Sequence, residues 1–409
     1  MSGERRAGAR ATPRPVLKGA VLKGAVLKGA APLRVAFVAP RFHTNQVGLV
    51  RALLAHGHPV RFFTLYRGGS EEHRDLSPSP VPLAGLSTWL ARRLGREHDK
   101  DFLMRYAFPT PWRLTRALRE FGADVYVIRD PNYLFAFAAL LVACGLGRRV
   151  VVYTQGPKYA GASRGARLKR LAVGALGHAW ITPVLGERRE GALTHDKIHY
   201  FPFVIDAPAP PERGVPEVIR LLAVGKFEPR KHHLMLVEVF ARLAGSRPCH
   251  LTLVGECTTP AHAEYFGRVE RRVRDLGLAG RVTLRRNESY ADMRRLYRDH
   301  DLFVLPSEAE PAAVSPLEAM AQGLAVVCSD GNGTRCYVEE GVSGSVFRSG
   351  DPDDLERVLR ALTADPRRLL DLGRAGYRLA ASRHHPERAY RELLALLGRP
   401  RGARLAGAS

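Results

Sequence analysis

Two glutamates, Glu310 and Glu318, flank a turn in the stretch EAEPAAVSPLEAMAQG, with seven residues between them. The strand-like run DLFVLPS ends just before the first. Ser315, Pro316 and Glu318 then make a helix-start pattern, with Ser at the N-cap, Pro at N1 and Glu at N3. That pattern gives Glu318 a structural reading as a capping-box carboxylate. Glu310 has no such reading. It precedes a turn whose small residues, Ala312 and Ala313, leave backbone N–H groups open, and N–H groups at a helix start attract anions. A phosphate in the turn with a carboxylate on either side, each accepting from hydroxyls, suits a sugar diphosphate joined to a ribose. A glycosidase pair is the competing chemistry. It needs one carboxyl kept neutral, whereas a helix start favours the ionised form at Glu318, so hydrolysis ranks below transfer.

An anionic diphosphate requires cations, and VGKFEPRKHH supplies them. The strand-like IRLLAV runs into Gly225, and Lys226 and Lys231 follow around a loop containing Pro229. Glycine allows close backbone approach. Two ammonium groups at a strand's carboxyl end neutralise a leaving diphosphate without a metal, stabilising charge that grows in the transition state. By itself a lysine pair at this spacing is more often a solvated loop. No paired aspartates at a strand end suggest a metal site, and Asp351–Asp354 reads as a helix start whose charge suits the macrodipole.

These residues sit on an alternation of strand-like and helix-like runs. Ordered sequence begins at LRVAFVAP and continues through PVRFFT, DVYVI, RRVVVYT and AWITPV. After the proline-rich FVIDAPAPPERGVPEV the alternation restarts with IRLLAV, HLTLV, RVTLR, DLFVL and LAVVC. Apolar, β-branched strands separated by helices predict two α/β units with parallel sheets covered on both faces. The predicted divisions are a low-complexity tail at 1–31, a first Rossmann-like unit at 32–205, a linker at 206–217 and a second unit at 218–383. A helix at 384–400 either packs locally or crosses back to the first unit, and 401–409 is a tail. A crevice between two doubly wound sheets is a natural ligand site.

The 409 residues, 45% hydrophobic and 25% charged, suffice for two cores. The longest apolar run, LFAFAALLVACGLG, is too short to span a bilayer and predicts a buried helix. The five cysteines are scattered without a C-x-x-C pair, which fits a reducing cytoplasm and excludes a disulfide framework. The repeats VLKGAVLKGAVLKGA carry a lysine in each unit, so they form no signal-peptide core; a disordered tail is expected there, with a membrane-touching or partner-binding arm as the alternative. A net charge of +23 points to anionic partners: a substrate, a membrane surface or nucleic acid.

The segments VGKFEPRK, LTLVGE, VTLRRNESYADMRRLY, DLFVLPSEAEPAAVSPLEAMAQGLAVVCSD and GVSGSVF follow one another as in the retaining GT-B glycosyltransferases of family 4, the glycosyl transferases group 1, and the chain resembles that family. The likeness covers essentially the whole second unit; the first matches in outline. It implies the α/β GT-B fold, with an N-terminal acceptor domain, a C-terminal donor domain and a nucleoside-diphosphate sugar as co-substrate without other cofactor. Glu310 and Glu318 match the family's E-x7-E pair, the first at the donor sugar and the second at the ribose. Lys226 and Lys231 match its cationic pair at the diphosphate, so Lys226, Lys231 and Glu310 carry the implied catalytic contacts. Gly225, the backbone of Ala312, Ala313 and Val314, and Asn287 with Glu288 beside the base complete the implied donor site. Lys226 stands where the family usually has arginine, the loop PRFHTNQVG lacks its common Gly-Gly, and two further departures bear on the chemistry. Pro311–Ala313 replaces the family's Gly-Phe-Gly, and Gln155 stands where members often carry histidine. The resemblance implies that the departing phosphate takes the acceptor's proton, so Gln155 need not. His43, Thr44, Asn45 and Gln155 are acceptor-side candidates.

Basic and aromatic residues cluster in the first unit. Lys158, Arg164, Arg167, Lys169 and Arg170 have no acid between them, and Trp89, Arg92, Arg93, Tyr106, Phe108 and Trp112 precede them. A membrane-facing surface beside a lipid-linked acceptor and a solvated helix face are both open readings. The expectation is a cytoplasmic enzyme, peripheral on the inner membrane face in the first of those readings, that transfers a sugar with retention to a glycan or lipid-linked acceptor in cell-surface glycoconjugate synthesis. A nucleotide-sugar epimerase or phosphorylase of the same fold, and a non-catalytic polyanion binder, are the alternatives. No recognisable motif supports nucleic-acid binding.

Overall fold

The computed structural model describes residues 32–66, 75–97, 99–243 and 248–398. The predicted tails at 1–31 and 401–409, with the VLKGA repeats, lie outside the described residues. The first sheet is built from β1 (Val35–Val38), β2 (Val60–Thr64), β3 (Ser79–Pro80), β4 (Val125–Arg129), β5 (Arg149–Tyr153), β6 (Ala179–Thr182) and β7 (Ile198–Tyr200). Its helices are α1 (Val47–Ala55), α2 (Gly85–Arg93), α3 (Lys100–Tyr106), α4 (Pro111–Phe121), α5 (Leu134–Gly145) and α6 (Arg164–Ala175). The strand order is β3-β2-β1-β4-β5-β6-β7, and every pairing is parallel. β1 and β4 are buried along their whole length, which is why they read as continuous apolar runs.

The second sheet contains β8 (Ile219–Val224), β9 (Cys249–Gly255), β10 (Val282–Arg286), β11 (Leu302–Leu305), β12 (Ala325–Ser329) and β13 (Gly344–Phe347), in the order β10-β9-β8-β11-β12-β13. Its helices are α7 (His233–Leu243), α8 (Pro260–Asp275), α9 (Tyr290–Asp299), α10 (Ser315–Ala321), α11 (Pro352–Ala364) and α12 (Pro366–Arg383), followed by α13 (Pro386–Leu397). Asp351 caps α11 through the Asp353 and Asp354 N–H groups, so the DPDD stretch starts a helix.

Three features join the two sheets. The proline-rich connection is held by Arg213, whose guanidinium fills the carbonyl ends of α9 and α10 by donating to Tyr297, His300 and Gln322. The Tyr337 hydroxyl donates to Pro183 O at 3.0 Å and accepts from Phe203 N–H at 3.0 Å, bridging the chain after β12 to the chain around β6 and β7. Helix α13 crosses back to the first sheet. Tyr390 stacks on His56 at 3.8 Å, its hydroxyl lies 3.0 Å from His58 Nε2, and Arg149 donates to Leu397 O at 2.6 Å. One continuous core follows, running from Leu49 and Leu53 of α1 to Leu393 and Leu397 of α13 and Met320 of α10.

α5 departs from the buried helix the sequence suggests. Phe135, Ala136, Ala139 and Leu140 face the sheet, but Leu134, Phe137 and Leu141 are 44%, 42% and 51% exposed. A helix hydrophobic all round has too little sheet to cover every face, so one stripe stays outside.

Candidate active site

The strand ends of β8 and β9 touch, because both carry glycine there: a Cβ on Gly255 would overlap the Gly225 carbonyl oxygen. Gly225 also makes room for Lys231, whose Cδ would lie 3.1 Å from a Cβ at that position. Phe227, fully buried against His233 and Phe266, anchors the loop beyond, and a short 3-10 turn over Pro229–Lys231 returns the chain. Lys231 folds back over Gly225, 10% exposed, and its ammonium meets the Glu310 carboxylate. Arg230 reaches the same carboxylate oxygen at 2.7 Å and its own neighbour Glu228. Burial pushes the Glu310 carboxyl up, but Lys231 and then Arg230 outweigh it and hold it below the usual range. Burial lowers the Lys231 ammonium, with the Glu310 charge opposing.

The turn that carries Glu310 is templated by a second loop, Asp330–Thr334. Glu310 N–H donates to Gly331 O at 3.1 Å, and Gly333 N–H donates back to Glu310 O at 2.9 Å. A Cβ on Gly333 would overlap the Pro311 carbonyl oxygen, so only glycine fits. Asn332 is buried beneath. Its Oδ1 accepts from Ala313 N–H at 3.4 Å and from Thr334 N–H at 3.2 Å, while the Thr334 hydroxyl donates to Ala313 O at 2.7 Å. Of the expected cradle, Ala313 N–H is thus committed. The N–H groups of Ala312 and Val314 have no protein acceptor among the described residues.

Glu318 is not a capping-box residue. The N-cap position of α10 is Val314, in a helical conformation (φ −93°, ψ −24°) with no side-chain cap, and Ser315 is already the first helical residue. A capping box needs an extended N-cap, so the Glu318 carboxylate is free to turn toward α9, where the Tyr297 hydroxyl donates to it at 2.8 Å. Burial raises the Glu318 carboxyl above the usual range despite that bond. The helix start leads one to expect the ionised form at Glu318; enclosure instead shifts its carboxyl toward the neutral one.

Asn287 and Glu288 lie at the end of β10, with their side chains already employed. Asn287, at φ +57°, clasps the Cys257 backbone, accepting from its N–H at 2.8 Å and donating to its carbonyl at 3.1 Å. Glu288 takes a two-bond grip from Arg285, each 2.9 Å. They shape the neighbouring loop, and Glu256 lines it. Lys226 is half-buried, its ammonium 3.8 Å from Glu256. The two lysines are thus sent to different carboxylates, Lys226 to Glu256 and Lys231 to Glu310. Burial raises the Glu256 carboxyl, but the Thr258 hydroxyl, Lys226 and, from the first sheet, Arg41 pull it below the usual range.

The acceptor-side candidates gather around a residue the sequence reading passed over. Arg129, buried at the end of β4, donates to Asn45 Oδ1 at 3.0 Å, pairs with Asp130 at 3.2 Å and lies 4.9 Å over the Tyr153 ring. His43 is kept neutral, its ring lowered well below the ordinary value by burial and then by Arg129 and Arg41. Gln155 follows two residues after Tyr153, in the chain beyond β5. A small cavity of about 20 Å³ lies underneath, lined by Asn45, Gln46 and Tyr153. The signal in sequence was VYVIRD: a buried strand ending on an adjacent charge pair. Asn332, Thr334, Tyr297 and Arg230 were also missed, because their roles come from other segments folding over them.

The carboxyl ends of the two sheets face each other. Arg41 acts on Glu256 across the divide, and Gly333 packs on Val184 at 3.3 Å from the position of a Cβ. Two parallel-sheet α/β domains meeting at their strand ends make the GT-B architecture. Solved structures agree. A glycosyltransferase from Rickettsia africae superposes with a TM-score of 0.68 at 14% identity, over 91% of this chain and 100% of that one. Anabaena HepE in complex with UDP and glucose superposes with a TM-score of 0.67 at 15% identity, over 89% and 99%. The model for glycosyl transferases group 1 matches residues 212–379, and that for the glycosyl transferase 4-like domain matches 44–185. The chain belongs to the group 1 glycosyltransferases. Among curated relatives, a D-inositol 3-phosphate glycosyltransferase of Segniliparus rotundus is 31% identical over 156 residues, 37% of this chain and 34% of the relative. The lipopolysaccharide core biosynthesis glycosyltransferase LpsE of Rhizobium meliloti is 29% identical over 178 residues, 43% and 49%. The matches thus span between a third and a half of those relatives' length. Among the described residues no helix is long and apolar enough to cross a membrane.

Proposed function

We propose that the protein transfers a sugar from a nucleoside-diphosphate sugar to a hydroxyl of a glycan or lipid-linked acceptor, with retention at the anomeric carbon. The observation that carries this reading is the buried Lys231 ammonium on Glu310, beside a turn with unclaimed N–H groups at Ala312 and Val314. In this reading the diphosphate takes over the ammonium groups of Lys231 and Lys226, and Glu310 turns to the sugar hydroxyls. Glu318 and Tyr297 receive the ribose. The anomeric carbon–phosphate oxygen bond breaks, the acceptor oxygen bonds to that carbon, and its proton passes to the departing phosphate. Lys226 and Lys231 then offset the charge that grows on that phosphate. The acceptor approaches from Asn45, His43 and Gln155, on the side held by Arg129.

HepE is described in complex with UDP, which makes UDP-sugars the first donors to test. A thermal-shift panel of UDP-, GDP- and ADP-sugars checks the reading. A donor at 100-fold excess over its dissociation constant adds about 2.7 kcal/mol. Release of free nucleoside diphosphate that depends on an acceptor then separates transfer from epimerisation. No stabilisation by any nucleotide sugar would overturn the proposal.

A further inference from the structure

The described residues include fifteen large hydrophobic side chains that stand exposed, and eleven of them lie between Leu86 and Leu171, on or beside the helices of one domain. They are not scattered there. Helices α4, α5 and α6 cover the same face of the first sheet, opposite the face covered by α1 and α13. Each of the three begins at the carboxyl end of the strands, because α5 and α6 follow β4 and β5, and α4 leads back to the start of β4. Trp112, 70% exposed, is the second residue of α4, Leu134 is the first of α5, and Leu168 and Leu171, 69% and 73% exposed, ride on α6. On α2, Leu86, Trp89 and Leu90 add to the same apolar rim, and Tyr106 closes α3.

Among the described side chains, the unpaired charge in this segment has one sign. The described acids pair locally: Glu97 with Arg92, Asp99 with Arg96, Glu120 with Arg116, Asp124 with Arg148 and Asp130 with Arg129. Arg105, Arg113, Arg119, Arg164 and Arg167 make no ion pair among the described residues. α6 shows how the surface is arranged. Arg170 turns inward and donates to the Lys158 and Leu193 carbonyls at 2.8 and 2.7 Å, and Val173 is fully buried. Arg164, Arg167, Leu168 and Leu171 are thereby left on the outer side at helical spacing. Between Trp112, Arg116 and Arg119 lies an open hollow of about 510 Å³.

We propose that this face docks on an anionic lipid bilayer, with Trp112, Leu168 and Leu171 in the interfacial region and the unpaired arginines on the head groups. Contiguous exposed apolar surface rimmed by cations marks an interaction site, and one-signed charge selects an anionic partner. Apolar side chains spread over several helices, with the hollow between them open and lined by arginines, match a fluid leaflet more than a folded partner. The face adjoins the strand ends that border the cleft, so a lipid-linked acceptor would enter directly from the leaflet; this part rests on the transfer proposed above, whereas binding itself does not.

The protein carries its own reporter. Of three tryptophans, Trp89 and Trp112 are exposed and Trp180 is buried. Full-length protein is mixed with phosphatidylcholine vesicles with and without phosphatidylglycerol, and both co-sedimentation and tryptophan emission are read. The expected result is sedimentation with the anionic vesicles only, a blue shift on binding, and release in about 1 M salt, where the Debye length falls to about 3 Å. Arg113→Gln with Arg164→Gln should weaken partitioning about 25-fold, about fivefold per arginine at roughly 1 kcal/mol each. Leu168→Ser with Leu171→Ser should weaken it with the melting temperature unchanged, since neither side chain is packed. Equal binding to neutral vesicles, no binding, or lipid-free self-association abolished by the leucine substitutions would overturn the proposal. None of these outcomes bears on donor binding, which the nucleotide-sugar panel reads separately.

Discussion

Replacing Lys231 with methionine keeps the aliphatic stem that packs over Gly225 and removes only the charge. Glu310 retains Arg230 at 2.7 Å, so the ligand-free protein is not left with an orphaned buried carboxylate. The stability cost is that of one charged hydrogen bond, about 1.5–3 kcal/mol, or a drop of a few degrees in melting temperature. The cost to transfer is larger. A preorganised donor aimed at charge that develops in the transition state contributes about 100- to 1,000-fold to turnover, or about 2.7–4 kcal/mol. Lys231 is 10% exposed, so water does not substitute for it. The assay is single-turnover release of nucleoside diphosphate from the donor found by thermal shift, with melting temperature measured in parallel. A folded K231M variant within about threefold of the parent rate, under about 0.7 kcal/mol in barrier, would refute the assignment of Lys231 to the leaving diphosphate.

Other substitutions test the scaffold. Gly333→Ala must push its Cβ into the Pro311 carbonyl, so it should cost about 1–3 kcal/mol and abolish the thermal shift given by the donor, read by calorimetry with and without nucleotide sugar. Tyr390→Ala removes the stack on His56 and should loosen α13 by about 2–4 kcal/mol, whereas Tyr390→Phe loses only the bond to His58, about 1 kcal/mol; denaturant titrations compare the two. Burial pushes His300 and His384 down to about 4, so both stay neutral in the fold while the unfolded chain protonates near 6.5. Their stabilisation is complete above about pH 6.5 and is lost as the pH falls from there toward 4, at about 1.4 kcal/mol per pH unit for each group. His384→Gln should reduce that slope by one group in unfolding titrations between about pH 7 and 5.

Much of the fold was legible because parallel strands buried on both faces must be apolar along their whole length. LRVAFVAP, DVYVI, IRLLAV and DLFVL therefore read as strands and are β1, β4, β8 and β11. Ser79–Pro80 and Ile198–Tyr200 did not, because two or three residues at a sheet edge carry no periodicity. The capping pattern at Ser315 misled for a related reason: a local motif competes with the turn, and the turn is set by the Asn332 loop lying beneath it.

Sequence by itself determined the alternation of elements, the two-sheet architecture and the residue types at the strand ends, since these follow from local periodicity and from where glycine and charge interrupt it. Tertiary structure alone decided which charges meet. Lys231 pairs with Glu310 because the β8 and β11 loops fold side by side. Arg129 meets Asn45 because β4 ends beneath the first loop, and the return of α13 to α1 was left open by its sequence. Such pairings depend on distances between segments remote along the chain, and those distances are fixed only when the sheets assemble and their cores exclude water.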